Sequence, residues 1–220
     1  KNIVFIEQNL INGKEIIHSL TKKQEKIAAY LTELEPDGLI TQLGGHGVAA
    51  IFEGSRPGPT ILIRCELDGL PIEELSDLPY RSQISGKGHL CGHDGHMAIV
   101  CAVARLMHHQ RPASGRVVLL FQPAEETGAG ARAVVADPKF ASITPEFAFA
   151  LHNFPGVKLG TAMIKQGPIN CASTGMRLVL EGRTSHASNP VDGVSPMAAM
   201  SAFMEEATAL GRGEVSDPDF

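Results

Sequence analysis

The chain is expected to fold as an α/β protein, with a mostly parallel sheet, helices on both faces, and the start of a smaller second unit. Three observations predict this. Apolar runs of strand length alternate with segments of helical period between residues 39 and 151. Turn residues punctuate them, with 23 Gly and 14 Pro in 220 residues. Hydrophobic residues make up 43% of the chain against 20% charged, which suits a layered core and excludes a disordered polymer.

The elements follow in order. Thr21-Lys22-Lys23-Gln24 fits a capping box, with Thr21 as N-cap. Ile27, Ala28, Leu31 and Leu34 continue at helical spacing, and Pro36-Asp37-Gly38 stops the helix. Strands are expected at 39–43, 48–52 and 60–67, separated by Gly44-Gly45 and by Arg56-Pro57-Gly58-Pro59. Ile61-Leu62-Ile63 is continuous enough to be central and buried on both faces. From His96 the period becomes helical, with Ile99, Val100, Val103, Leu106 and Met107 on one face. A buried strand at 117–121, a weak helix at 128–135 and a strand at 147–151 complete the alternation. Residues 1–170 form the first domain of this reading, and 171–220 begin the second, from Cys171. There 176–180 reads as a half-exposed strand and 196–210 as a helix. One strand and one helix cannot bury their own apolar faces, so the chain is read as a fragment of a longer protein.

Composition excludes several functions. Lys+Arg is 19 against Asp+Glu 24, a net charge of −5, which argues against nucleic-acid binding. No run approaches the ~18 apolar residues of a membrane span. Residues 1–10 alternate apolar and polar without a small-residue cleavage site, so they do not read as a signal peptide. Cys65, Cys91, Cys101 and Cys171 are not spaced as a disulfide framework and read as reduced thiols of a cytoplasmic protein.

Three motifs carry chemistry, and each falls at a strand or helix end. In Cys91-Gly92-His93-Asp94-Gly95-His96, an extended backbone lets Cys91 and His93 face one metal, with Asp94 as N-cap of the following helix. Thiolate and imidazole suit zinc. The bland alternative is a glycine-rich turn. Phe121-Gln122-Pro123-Ala124-Glu125-Glu126 places paired carboxylates after a strand. One can hold a metal while the other acts as general base, or both are solvated acids near a helix start. Leu151-His152-Asn153 again follows an apolar strand, and a lone histidine there is commonly structural. The set has more weight than its members, because such sheets gather ligands at the carboxyl ends of their strands.

Taken together these motifs resemble the amidohydrolase branch of the aminoacylase/carboxypeptidase dinuclear metallopeptidases, which includes N-acyl-amino-acid amidohydrolases, hippurate hydrolases and auxin-conjugate hydrolases. The blocks Arg64-Cys65-Glu66-Leu67-Asp68-Gly69-Leu70-Pro71-Ile72 and Gly182-Arg183-Thr184-Ser185-His186-Ala187 extend the likeness over about 39–200. The resemblance implies two divalent metal ions, zinc or manganese, with cobalt or nickel open. It implies Cys91, His93, Glu126 and His152 as metal ligands, and Glu125 as the base that deprotonates a metal-activated water. It implies Asp68 as support of the metal site, and His186 as a donor to the oxyanion from a ferredoxin-like lid that also forms a homodimer. The implied reaction is hydrolysis of the amide of an N-acyl amino acid or similar small conjugate. A carboxypeptidase or dipeptidase of the same family stays open, as does a non-catalytic metal-binding or dimerisation module. The chain departs from the family at Cys65-Glu66, where Ala-Asp is usual, and at Pro190-Val191, where Pro-His is common. The family's last metal ligand, near its C-terminus, has no counterpart here. His89, His96, His108 and His109 read as structural or solvated, and Cys65 and Cys101 as small core residues.

Overall fold

A helix and a hairpin open the fold. The structure, a computed structural model, describes residues 15–167 and 178–211. Helix α1 spans Glu15–Thr32 and strands β1 and β2 span Gly38–Leu43 and Gly47–Glu53. Thr21 therefore lies inside α1 and is not its N-cap. Ile16, Ile17 and Leu20 extend the apolar period of Ile27 and Leu31 towards the N-terminus, so the capping pattern falls within a helix already begun.

Strand β3 (Thr60–Glu66), helix α2 (His93–His109), strand β4 (Arg116–Gln122), helix α3 (Gly130–Ala136), a 3-10 helix at Pro138–Ile143 and strand β5 (Phe147–Ala150) follow. The sheet order is β1-β2-β4-β3-β5. β3 pairs in parallel with β4 and with β5, and these strands are the ones joined through helices. The β1–β2 hairpin joins antiparallel to β4. β4, not β3, is the middle strand. Ile61 and Ile63 are only half-buried, because β3 has only the short β5 beyond it.

The two-residue period of the strands sorts the core into two layers. Leu119 and Phe121 of β4 pack with Ile27 and Leu31 of α1 and with Met97, Val100, Cys101 and Ala104 of α2. Val118 and Leu120 face the other way, against Val134 of α3 and Ile143. Helices thus cover both faces. The buried side of α2 keeps the expected Val100, Val103 and Met107 against the core but differs at its edges. Ile99 and Leu106 are exposed, and His93 and His96 lie inside with Met97 and Val100. The period is right, but two polar residues take the inward positions.

At the amino end of β4 the backbone is tight. Gly115 has φ 66, and a Cβ there would lie 2.1 Å from the Pro59 carbonyl oxygen. Gly54 and Gly58 pack against the same turn, where a Cβ would approach Gly115 O or Gly115 N to 2.6 Å. The Gly54 N–H donates to Gly115 O at 2.7 Å, which closes the end of β2 onto the start of β4.

The chain divides into two compact units, Lys1–Leu159 and Gly160–Phe220. The second contains, among its described residues, a 3-10 helix at Pro190–Asp192, helix α4 (Met197–Gly211) and a bridge between Arg183 and Val194. Of the strand expected at 176–180, residues 176 and 177 lie outside the described residues, as does Cys171, and 178–180 have no regular structure. Among the described residues no helix is long and apolar enough to cross a membrane.

Candidate metal centre

The carboxyl ends of β3, β4 and β5 lie side by side, and each passes the chain to a polar segment. Asp68 follows β3, Glu125 and Glu126 follow β4, and His152 follows β5. The mouth of α2 supplies Cys91 and His93. The ligand atoms of Cys91, His93 and His152 lie within 4.8 Å of one another, and so do those of His93, Glu125 and Glu126.

Local backbone differs from the expected form at two places. Gly92, at φ 90, is the N-cap of α2, with no side-chain cap, and His93 is the first helical residue. Asp94 sits in the first turn, where its charge complements the helix dipole but caps nothing. The left-handed Gly92 turns the chain so that Cys91 and His93 still face each other. Glu125 and Glu126 lie in a turn rather than on extended backbone, after Ala124 at φ 49. Both carboxylates consequently face His93, Glu125 Oε2 at 3.5 Å and Glu126 Oε1 at 3.7 Å from its Nε2.

His93 is 1% exposed. Its Nδ1 donates to the Asp68 backbone carbonyl at 3.0 Å, which leaves the lone pair on Nε2. Nε2 is buried without a hydrogen-bond partner, and so is Asp68 Oδ1. His152 repeats the device: Nδ1 donates to Asn153 O at 2.7 Å, and Nε2 accepts from the Cys91 thiol at 3.3 Å. Asp68 Oδ2 accepts the Glu126 N–H at 3.0 Å. Burial raises the Asp68 carboxyl, but contact with His93 and the N–H groups of Glu126 and Glu125 outweigh it and hold its pKa below the ordinary value. Burial pushes the Cys91 thiol up to about 11, and the Glu126 and Glu125 carboxylates add to the shift.

These features fit divalent metal ions. Two carboxylates and a thiol converge on a buried imidazole nitrogen that has no hydrogen-bond partner, and a cation at their centre satisfies all of them. Thiolate, imidazole and carboxylate together suit a borderline metal.

Behind the ligand face lies a second set of polar groups that sequence reading left aside. Glu66 and His96 are buried and hydrogen-bonded to each other, and His96 reaches Asn153. The i, i+3 spacing of His93 and His96 on one helix face was a signal for this inward turn. Lys23 of α1 is also buried. Its Nζ donates to Leu67 O at 3.1 Å and to His89 Nε2 at 2.8 Å, fixing the segment that carries Asp68. Burial and the Lys23 charge lower the His89 pKa to about 3. His186 belongs to the second unit, is exposed, and holds Ser188 through Nδ1 at 2.7 Å.

Residues 62–216 match peptidase family M20/M25/M40. N-acetyl-L-cysteine deacetylase of Bacillus subtilis (strain 168) is 35% identical over 215 residues, covering 92% of this chain and 50% of the relative. N-acetyldiaminopimelate deacetylase of Listeria innocua serovar 6a is 31% identical over 202 residues, covering 91% and 54%. The crystal structure of Bacillus subtilis YXEP protein, a dinuclear metal binding peptidase from M20 family, aligns with a TM-score of 0.64 at 33% identity, over 75% of this chain and 44% of that one. The chain spans about half the length of the curated relatives it matches.

Proposed function

The chain belongs to peptidase family M20/M25/M40, and on that premise we propose that the protein is a metal-dependent amidohydrolase acting on N-acyl amino acids. The observation that carries the reading is His93, with Nδ1 committed to Asp68 O and a buried, unpartnered Nε2 facing two carboxylates. The names of the relatives, deacetylases of N-acetylated amino acids, support the substrate class.

In this reading Cys91, His93, Glu126 and His152 hold two divalent ions, zinc or manganese, with cobalt and nickel as further candidates. Bound metal supplies Lewis acidity towards the amide carbonyl and lowers the pKa of the attacking water. The chain's own groups do the rest. Asp68 O and Asn153 O set the tautomers of His93 and His152, so that both present Nε2. Asp68 Oδ2 anchors the turn that carries Glu126. Glu125, whose side chain is the more exposed of the two at 36% against 23%, takes the proton of the attacking water at its carboxylate and returns it to the leaving nitrogen. The C–N bond breaks, a C–O bond forms, and one water is consumed. His186, from a lid beginning near residue 171, donates to the developing oxyanion. A homodimer through that lid completes the arrangement. The free thiols of Cys65, Cys91 and Cys101 support a cytoplasmic setting.

The test is elemental analysis of the full protein, with hydrolysis of N-acetyl amino acids and of dipeptides before and after chelation. Two metals per chain with chelator-sensitive deacetylation is the expected result. Preference for dipeptides moves the reading to a peptidase, a possibility that the description of the YXEP protein favours. Metal without turnover leaves a binding module. Folded protein free of metal, never exposed to chelator, overturns the ligand set.

A further inference from the structure

Glu66, His96 and Asn153 form a polar chain that the proposed ligand roles do not use. Glu66 ends β3 and is 1% exposed, and His96, in the first turn of α2, is 2% exposed. His96 Nδ1 donates to Glu66 Oε2 at 2.8 Å. Its Nε2 lies 2.9 Å from the Asn153 side-chain amide and 3.3 Å from the Asn153 backbone N–H. Arg64 contacts the other Glu66 oxygen through Nη1, and its Nε donates to Gln122 of β4 at 2.9 Å. The buried carboxylate is thereby paired, and one continuous network joins β3, β4, α2 and the segment after β5.

Asn153 is the outer end of this network and the neighbour of His152. It sits against the left-handed Gly92, where a Cβ would come within 2.3 Å of Asn153 Oδ1. The His96 ring stands edge-on to His152, with centroids 4.8 Å apart. Strand β5 gives His152 little support of its own, being four exposed residues at the sheet edge. His93, by contrast, is held directly by Asp68 O inside the fold.

We propose that Glu66, His96 and Asn153 are positioning residues that hold His152 against Cys91 and so set how tightly the site on the Cys91–His152 side binds its metal. The proposal rests on the metal reading above. It predicts an asymmetric defect: loss of the network weakens the Cys91–His152 side and spares the side formed by His93 and Glu126.

The experiment loads the full protein with Co(II) and compares wild type with Asn153→Ala, His96→Gln and Glu66→Gln. Chelator competition gives the affinity of each site, and absorption reads the thiolate-to-cobalt band of Cys91. The expected result is a loss of about 10–100-fold at one site, with a weakened or shifted thiolate band and the other site unchanged. Asn153→Ala is the mildest variant because the residue is exposed, and circular dichroism with the apo thermal midpoint confirms its fold. Asn153→Ser gives the same reading if alanine does not fold. Wild-type affinity and spectrum in the folded variant overturn the proposal. An equal loss at both sites, with a lowered apo midpoint, overturns it too, since that marks a general structural role. Wild-type protein that binds no Co(II) overturns the metal reading itself, and this proposal with it.

Discussion

The middle of the sheet and its carboxyl rim are built from the same strands under opposite rules. In the middle, Val118, Leu119 and Phe121 are sealed between helices on two faces, and their backbone groups are spent in the ladder. At the rim, just past the strand ends and at the mouth of α2, Asp68 Oδ1 and His93 Nε2 are buried without hydrogen-bond partners, and carboxylates crowd an imidazole. The middle gains stability from burial, about 25 cal/mol per Å² of apolar surface. On the proposed function, the rim holds these groups together for a bound cation, and the contrast teaches where substitutions act: in the middle on folding, at the rim on metal and turnover.

Glu125→Gln tests the rim most severely. Turnover is expected to fall about 10²–10⁴-fold, the usual worth of a general base, with metal content and thermal midpoint near wild type. Unchanged turnover in the metal-loaded variant removes Glu125 from the mechanism. Phe121→Ala is the counterpart in the middle, and denaturant unfolding is expected to show a loss of about 3–5 kcal/mol. Metal content per folded molecule should stay the same; if it drops with little loss of stability, the two regions are not separable.

Chelation sharpens the contrast further. Removing metal returns the rim to facing carboxylates, so the thermal midpoint should fall, by the equivalent of about 4 kcal/mol for a metal present at a thousandfold its Kd. No change on chelation means that the rim tolerates its own charge and the contrast is only apparent. The smallest effect lies at Asp137, which is half-buried and accepts N–H bonds from Gly44 and Lys139, both at 2.9 Å. Those bonds hold its carboxyl below the ordinary value of 3.8. A lowered pKa adds stability above the unfolded value, and that stability is lost as pH falls through the folded value. Asp137→Asn should therefore lower the thermal midpoint slightly at neutral pH, and the gap should close as the pH drops below about 4. A gap that persists at lower pH means that the bonds do not depend on charge.

Much of the middle was legible because its signals are local. The runs at 39–43, 48–52, 60–67 and 117–121 are bounded by Gly and Pro and fall within a residue or two of the observed strands. The start of α1 was not, because a capping pattern at Thr21 has the same letters inside a helix as at its end. The rim residues could be singled out because each stands next to a strand or at a helix mouth. Their support could not. Glu66 and His96 are 30 residues apart and His96 and Asn153 are 57 apart, and no spacing rule links positions so distant. The buried face of α2 was legible at Val100, Val103 and Met107, and its two histidines were missed for the same reason. His96 is admitted to the interior by a carboxylate on another element, which a hydropathy pattern scores as a reason to face water.

The tight corner formed by Gly54, Gly58 and Gly115 bears on how mutational tolerance in this protein is interpreted. Any side chain there meets peptide backbone, which cannot rotate away as a neighbouring side chain can. A saturation scan scored on activity alone would therefore mark these glycines as intolerant as the rim residues, although they stand at the far end of the strands. Scoring the yield of folded protein alongside activity separates the two kinds of intolerance: the corner variants are expected to lose folded protein, and the rim variants to keep it.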